Sequence, residues 1–192
     1  MVDSANDSSM PSEHIGELKK WLGEIARKGD AAETFSLTRF SELVGKNFGA
    51  QPHEVAVMEI TSDERYLRFL APENLRAVGQ IPLSSTSSLA ARTVREKRPE
   101  IVNHFTVVRH ASVFEAVPIA EEQRGEPIQK IMSAPIKLSS RVIGVLQVSR
   151  KGKSTAEAGA DFTHSQLREL QVISDAMAPC LHLAGEDRSP AG

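Results

Sequence analysis

The sequence predicts an α+β domain built on a central antiparallel β-sheet flanked by helices. Four apolar segments form two pairs, each joined by a short polar stretch as in a β-hairpin: residues 55–60 with 66–70, and 134–138 with 142–148. Helical periodicity occurs before, between and after these pairs, at residues 12–28, 89–97 and 164–178. Strands joined by tight turns pair antiparallel, and the helices then cover the sheet.

Composition limits the domain count and the kinds of partner. The chain has 192 residues, enough for one domain, with 23 Lys and Arg against 25 Asp and Glu. A net charge of −2 would attract neither nucleic acid nor an anionic membrane, so neither partner is expected. Cys180 has no disulfide partner, and no apolar run reaches the length of a membrane span. We therefore expect a cytoplasmic protein.

Both ends of the chain are polar and are predicted to be disordered tails, at residues 1–11 and 184–192. The first of them lacks the basic head and apolar body of a secretory signal. Between the tails, the sequence predicts an N-terminal helix at residues 12–30 and a folded domain at residues 31–183.

The N-terminal helix has an apolar stripe with spacings of 3, 4 and 3 residues: Ile15, Leu18, Leu22, Ile25. Such a stripe either packs on the helix's own domain or forms the seam of a dimer. Two heptads are too few to distinguish these alternatives.

A second helix is predicted to begin at Asp30, because Asp30 and Glu33 have the spacing of a capping box. Its apolar stripe consists of Leu37, Phe40, Leu43, Val44 and Phe48. Gly49 can adopt the left-handed conformation that ends a helix.

A turn or a short helix is predicted at residues 72–74, after the first hairpin, and a serine cluster at residues 84–88 precedes the third helix. The hydroxyls can accept hydrogen bonds from the first N–H groups of that helix, and Pro99 stops it. Binding of a phosphate or carboxylate there is the alternative. After a brief strand at residues 101–103, residues 104–130 lack clear periodicity, which is typical of a functional loop.

The last helix is predicted from a capping box at Thr163 and Gln166. One face of this helix is apolar: Leu167, Leu170, Ile173, Met177. Pro179 is predicted to kink or end it near Ala178.

Several short motifs follow one another along the chain: Gly79-x-Ile81-Pro82-Leu83, Leu89-Ala90, Lys97-x-Pro99, Ile101-Val102, Ser133-x-Pro135-Ile136, Val142-Ile143-Gly144-Val145-Leu146-x-Val148 and Phe162-Thr163-x-x-x-Leu167. Their order and spacing resemble the GAF domain family, which is related to PAS domains, over residues 31–183. The resemblance implies N- and C-terminal helices on one face of the sheet and a ligand cavity on the other, roofed by the middle of the chain. It also implies that the second hairpin is covered on both faces, so that residues 142–148 need not alternate. Gly144 would then allow a close approach.

The same resemblance bears on catalysis and cofactors. Relatives that reduce methionine sulfoxide use several cysteines, and bilin-binding relatives use a cavity cysteine. This chain has only Cys180, predicted to be a small helix residue that is buried or semi-exposed. No Gly-x-Ser-x-Gly motif is present. We therefore expect that the chain is not an enzyme and carries no covalent bilin. The cyclic-nucleotide signature of the family is also absent, its nearest fragment being residues 103–105.

Metal and haem binding are not expected either. The six histidines include no i, i+4 pair on a predicted helix. His104 and His110 fall in the 104–130 segment, where a ligand contact is the alternative to a surface position. The cofactor is therefore left unnamed.

The predicted ligand site combines apolar walls with polar side chains, as small-molecule pockets do. The walls are Phe69, Phe105, Phe114 and Met132; the polar residues are Arg109, His110 and Ser133. The alternative is that these aromatics fill the core and leave no cavity.

The functional hypothesis is a non-enzymatic sensory domain that binds a small molecule between the sheet and residues 104–130. Signalling would pass through helix-mediated homodimerisation or through a separate signalling protein. A ligand-free interaction scaffold is the main alternative. A cysteine-poor relative of the sulfoxide reductases is a weaker third.

Overall fold

The computed structural model describes residues 13–28, 35–77, 79–105 and 126–186, which build a six-stranded sheet with every pair antiparallel. The strands are β1 (Val55–Ile60), β2 (Tyr66–Ala71), β3 (Gln80–Pro82), β4 (Glu100–Val102), β5 (Ile128–Leu138) and β6 (Arg141–Lys151). Their order across the sheet is β3-β2-β1-β6-β5-β4. The helices are α1 (Glu13–Lys28), α2 (Leu37–Phe48), α3 (Leu89–Glu96) and α4 (His164–Glu186). The predicted α+β class and antiparallel sheet are confirmed.

One face of the sheet, the terminal-helix face, is covered by α1, α2 and α4. Its strands contribute apolar side chains to one large cluster with these helices, among them Val55, Val57, Met132, Ala134, Ile136, Leu146 and Val148. Ile15, Leu18, Leu22 and Ile25 of α1 are at most 4% exposed in the same cluster. The α1 stripe therefore packs on its own domain, the first of the two alternatives.

The opposite face, the α3 face, carries a second cluster. Its members come from β1, β2, β3, β6 and α3, and from the 3-10 turn at Glu73–Leu75: Ala56, Met58, Leu67, Phe69, Leu75, Ile81, Ala90, Ala91, Val145. The hairpin of β5 and β6 lies between the two layers, which accounts for the missing alternation in residues 142–148.

The hairpin itself is longer than the sequence predicts. β5 begins at Ile128, so residues 128–130 belong to a strand and not to the preceding loop. They pair with β6, in the register Ile128 to Lys151 and Lys130 to Arg150. These residues are mostly polar, and apolar alternation therefore could not reveal them.

Gly144 permits the close approach that the resemblance implies. A Cβ at this position would lie 2.3 Å from the Met58 carbonyl oxygen of β1. Real Cβ atoms do not approach a carbonyl oxygen so closely, so β1 and β6 can pair here only because residue 144 is glycine.

Helix boundaries differ from the predictions at two places. α2 begins at Leu37, because Ser36 is extended and its hydroxyl accepts a hydrogen bond from the Arg39 N–H; the start predicted at Asp30 is wrong for this helix. Asp30 and Glu33 lie outside the described residues. Gly49 ends α2 in the left-handed conformation, with φ +63°, as predicted.

α4 continues through Pro179 to Glu186, so of the two predicted effects of Pro179 the helix end near Ala178 is wrong, and a kink there stays a prediction. Residues 184–186, predicted as tail, are helical, and residues 1–12 and 187–192 lie outside the described residues. The capping box is confirmed by two reciprocal hydrogen bonds between Thr163 and Gln166, at 3.0 and 3.2 Å. Among the described helices, none has the length and apolar character needed to cross a bilayer.

Candidate functional site

A buried chain of hydrogen bonds joins α3 to the centre of the sheet. Gln147 Nε2 on β6 donates to Ser133 Oγ on β5 over 3.1 Å, and Ser133 Oγ lies 2.7 Å from Thr93 Oγ1 on α3. Thr93 Oγ1 donates to the Leu89 carbonyl at 2.9 Å, so the Ser133 hydroxyl must donate to Thr93. We call Gln147, Ser133 and Thr93 the polar relay.

The register of the sheet brings these side chains together. Ser133 and Gln147 are direct cross-strand neighbours, so their side chains point to the same face. All three relay residues are at most 3% exposed. Each internal hydrogen bond compensates the loss of water, and the bonds fix how α3 sits on the sheet.

An ion pair lies at the margin of the relay. Glu100 of β4 pairs with Ser133 in the sheet, and its carboxylate accepts a hydrogen bond from Arg92 Nη2 on α3 at 2.7 Å. Arg92 Nε is buried and has no hydrogen-bond partner in the described part of the chain. The pair is partly exposed, so its contribution to stability is small, but it balances the charge of Arg92.

Apolar residues lie on the other side of the relay. Ala56 of β1 is the cross-strand neighbour of Gln147, and Phe69 of β2 pairs with Met58 of β1. Phe69 is 5% exposed, within the α3-face cluster. The α3 face therefore combines three neutral polar side chains with a larger apolar surface.

The structure brings two of the predicted site residues, Phe69 and Ser133, to this one face. Met132 does not share it: Met132 pairs with Val148 and packs on the terminal-helix face. Consecutive residues of a regular strand point to opposite faces, so Met132 and Ser133 cannot line one pocket, and the prediction for Met132 is corrected.

The remaining predicted residues fall at or beyond the end of β4. Phe105 is half-buried, and its N–H donates to the Gln129 carbonyl at 2.8 Å. Arg109, His110 and Phe114 lie outside the described residues. The sequence reasoning missed Thr93 and Gln147. Gln147 had a visible signal, because it is the only polar side chain between Val142 and Val148.

The serine cluster before α3 is used for capping. Ser88 Oγ accepts from the Ala91 N–H at 3.2 Å, and Ser85 Oγ accepts from the Ser88 N–H at 3.2 Å. Arg95 donates to the Leu83 and Ser85 carbonyls. The capping alternative therefore accounts for Ser85 and Ser88.

Cys180 lies on α4, in the cluster of the terminal-helix face, away from the polar relay. Its thiol is fully buried and donates to the Leu22 carbonyl at 3.4 Å. Burial raises the pKa of the Cys180 thiol to about 11, which keeps it protonated at neutral pH. Of the two predicted positions, buried or semi-exposed on a helix, the structure has the buried one. In the described ranges, no three His, Cys, Asp or Glu residues are grouped as metal ligands.

Comparison with known proteins gives one family and a set of similar folds. Residues 36–181 match the family described as GAF domain. The GAF domain of an Acinetobacter phosphoenolpyruvate-protein phosphotransferase aligns with a TM-score of 0.59 and 14% identity, over 90% of this chain and 95% of that one. The second GAF domain of DevS from Mycobacterium smegmatis aligns at 0.53 and 16%, over 81% and 97%. No curated protein matches by sequence.

A third similar structure corrects one prediction. Free methionine-R-sulfoxide reductase from Neisseria meningitidis, in complex with its substrate, aligns with a TM-score of 0.53 and 14% identity, over 93% of this chain and 96% of that one. The expectation that the chain is not an enzyme rested on its single cysteine and on the lack of a Gly-x-Ser-x-Gly motif. Because an enzyme has this fold, that expectation is corrected. Identity this low shows the fold alone and does not make the chain a reductase.

Proposed function

Because the chain belongs to the GAF domain family, we propose that it is a sensory or regulatory domain that binds a small molecule on the α3 face, between the sheet and residues 104–130. The polar relay is the observation that carries this proposal. Small-molecule sites are mostly apolar with a few polar groups in fixed positions, and the relay residues beside Ala56 and Phe69 have that make-up.

The chemistry of this face favours an uncharged part of the ligand over the polar relay. The relay residues are neutral, and the Arg92 guanidinium is paired with Glu100. A charged ligand group placed over the relay would lose its hydration without gaining an opposite charge. Phe105, Arg109, His110 and Phe114 remain predicted ligand contacts from the 104–130 segment.

Output would pass through the helices of the terminal-helix face. The apolar stripes of α1 and α4 are buried within the chain, so a homodimer or a separate signalling protein would contact the exposed faces of these helices. A homodimer, a signalling partner and a cytoplasmic location are parts of this proposal.

A ligand-free interaction scaffold is the second candidate. Phe69 packs with Leu75 and Ile81 in a buried cluster, which is the arrangement expected if the aromatics simply fill the core. The two candidates differ in whether a small molecule stabilises the protein.

Thermal melting of the full chain with cyclic GMP, cyclic AMP, free amino acids and methionine sulfoxide tests the proposal. A compound present at 100 times its Kd should raise Tm by about 5 to 10 °C, because it binds only the folded state. Ser133→Val, which breaks the relay, should abolish this shift relative to its own Tm. Met132→Leu, on the opposite face, should retain it.

Two outcomes would replace the proposal. No shift with any compound, together with a clean dimer by light scattering, would favour the scaffold. Consumption of methionine sulfoxide would identify an enzyme instead.

A further inference from the structure

The segment between the second hairpin and α4, residues 152–162, is bonded at both ends to strand termini. At its start, the Gly152 N–H donates to the Pro127 carbonyl at 3.1 Å, and Gln129 Nε2 donates to the Gly152 carbonyl at 2.8 Å. We call residues 152–162 the link. The start of the link is therefore held by the first residues of β5 and by Pro127 just before them.

Two cations of the hairpin hold the end of the link. The Lys130 side chain is 4% exposed, and its Nζ donates to the Gly159 carbonyl and lies 2.7 Å from Asp161 Oδ1. Arg150 donates to the Ala160 carbonyl and, over 3.1 Å, to the Phe48 carbonyl. The Arg150 guanidinium also lies over the Phe162 ring, 4.4 Å from its centroid.

An asparagine just after β4 completes the arrangement. Asn103 Nδ2 donates to the Phe162 carbonyl at 3.1 Å, and the Phe162 N–H donates to Asn103 Oδ1 at 2.9 Å. The side-chain amide thus binds the Phe162 backbone at two points, as a neighbouring strand would. Two residues further on, the Phe105 N–H donates to the Gln129 carbonyl.

Holding the link with buried charged groups costs desolvation free energy. Burying Lys130 requires removal of an ammonium from water, and an apolar side chain of similar size would often stabilise a fold as well or better. What the charged and amide groups provide is a defined position for the backbone that they bind. Phe162 immediately precedes the capping box at Thr163, so that position is also the position of the first turn of α4.

We propose that Asn103, Lys130 and Arg150 form a clasp that couples the facing ends of β4 and β5 to the first turn of α4. Displacing either strand end then loosens the N-terminus of the helix, and loosening the helix start frees the strand ends. This coupling is reciprocal, as any energetic coupling between two sites must be. It exists in the free protein and does not depend on the proposed ligand.

Amide hydrogen exchange of the full chain, measured by NMR without ligand, tests the clasp. Lys130→Met keeps the apolar stem and removes the ammonium. We expect about tenfold faster exchange at the Phe162 N–H and at the Phe105 N–H, whose acceptor is the Gln129 carbonyl at the start of β5. Asn103→Ala should accelerate the Phe105 amide and the Gly152 amide at the opposite end of the link.

The matched control is Arg141→Met, which removes the ion pair with Glu64 at the closed end of the same hairpin. It should leave the exchange rates of the Phe162, Phe105 and Gly152 amides unchanged.

Faster exchange confined to residues 159–161 in Lys130→Met would overturn the proposal, because the effect would then be local. A uniform acceleration that includes the Met58 and Val145 amides at the centre of the sheet would also overturn it, since Lys130 would then only stabilise the fold. Asp161→Asn, which weakens the same contact from the exposed side, must give the same pattern as Lys130→Met.

Discussion

At the residue scale, the most demanding position is Gly144. Because Gly144 has no side chain, the Met58 carbonyl of β1 can lie close to it; a Cβ on residue 144 would be only 2.3 Å from the Met58 carbonyl oxygen. Gly144→Ala should therefore lower the free energy of unfolding by about 3 kcal/mol, the upper end of typical overpacking costs, as measured by urea denaturation.

The control for that experiment is Gly16→Ala in α1, where an added Cβ meets nothing within 4 Å. This variant should gain up to about 1 kcal/mol from helix propensity. Equal stabilities for the two variants would contradict the close approach at Gly144.

The pKa of Asp161 depends on its contact with Lys130. The hydrogen bond from Lys130 is the main cause that lowers the pKa of Asp161 from 3.8, and the charges of Lys130, His104 and Arg150 lower it further. The stabilisation is therefore complete above pH 3.8 and is lost as the pH falls through the lower folded-state pKa. In Lys130→Met, the pKa of Asp161 measured by NMR should rise toward 3.8. An unchanged value would mean that Lys130 does not bind it.

Some residues of the candidate site can be predicted from the sequence, and others cannot. Ser133 and Phe69, predicted from their chemistry, share the α3 face, whereas Met132 lies on the other face. Neighbouring residues of a strand point to opposite faces, so Met132 and Ser133 cannot both line one pocket. This rule can be applied to the sequence alone. Thr93 could not be found this way, because only the docking of α3 places it beside Ser133.

At the element scale, tertiary packing keeps α4 helical through Pro179, a residue that usually ends a helix. Pro179 lacks an N–H and costs about 3 kcal/mol inside a helix. Its neighbours Ala178, Cys180 and Leu181 are at most 3% exposed, and burial of a leucine side chain alone contributes roughly 1.5 to 3 kcal/mol. The burial on both sides of Pro179 is therefore sufficient to continue the helix, which the sequence pattern alone could not indicate.

Pro179→Ala tests this balance. The new N–H can donate to the Asp175 carbonyl, so the variant should be more stable than the original chain, by up to about 3 kcal/mol. Differential scanning calorimetry would measure the higher Tm. A lower Tm would show that the proline ring is needed for packing of α4.

The start of β5 is a strand that no local sequence pattern indicates. Caps and apolar alternation located α3, α4 and both hairpins, because each leaves a local pattern. Residues 128–130 form strand through backbone pairing with Arg150 and Lys151, and their polar side chains serve contacts that are distant in sequence.

At the scale of the whole molecule, α1 belongs to the domain core. Leu22 is fully buried, and its carbonyl accepts the Cys180 thiol. Leu22→Ala should cost about 2 to 5 kcal/mol of unfolding free energy, the range for deletion of a buried leucine side chain. The Tm should fall equally at all protein concentrations.

A loss of stability that grows as protein concentration rises would indicate that Leu22 stabilises a dimer instead. Val172→Ala is the matched control, because Val172 is 41% exposed on α4. It should change stability by less than about 0.5 kcal/mol.

The central claim is that the α3 face of the sheet binds a small molecule, and a crystal structure of the full chain tests it most directly. We predict an open volume bounded by Phe69, Ser133 and Gln147 that contains ordered water or a bound molecule. An α3 face with no room for a few heavy atoms beside these three side chains would contradict the account.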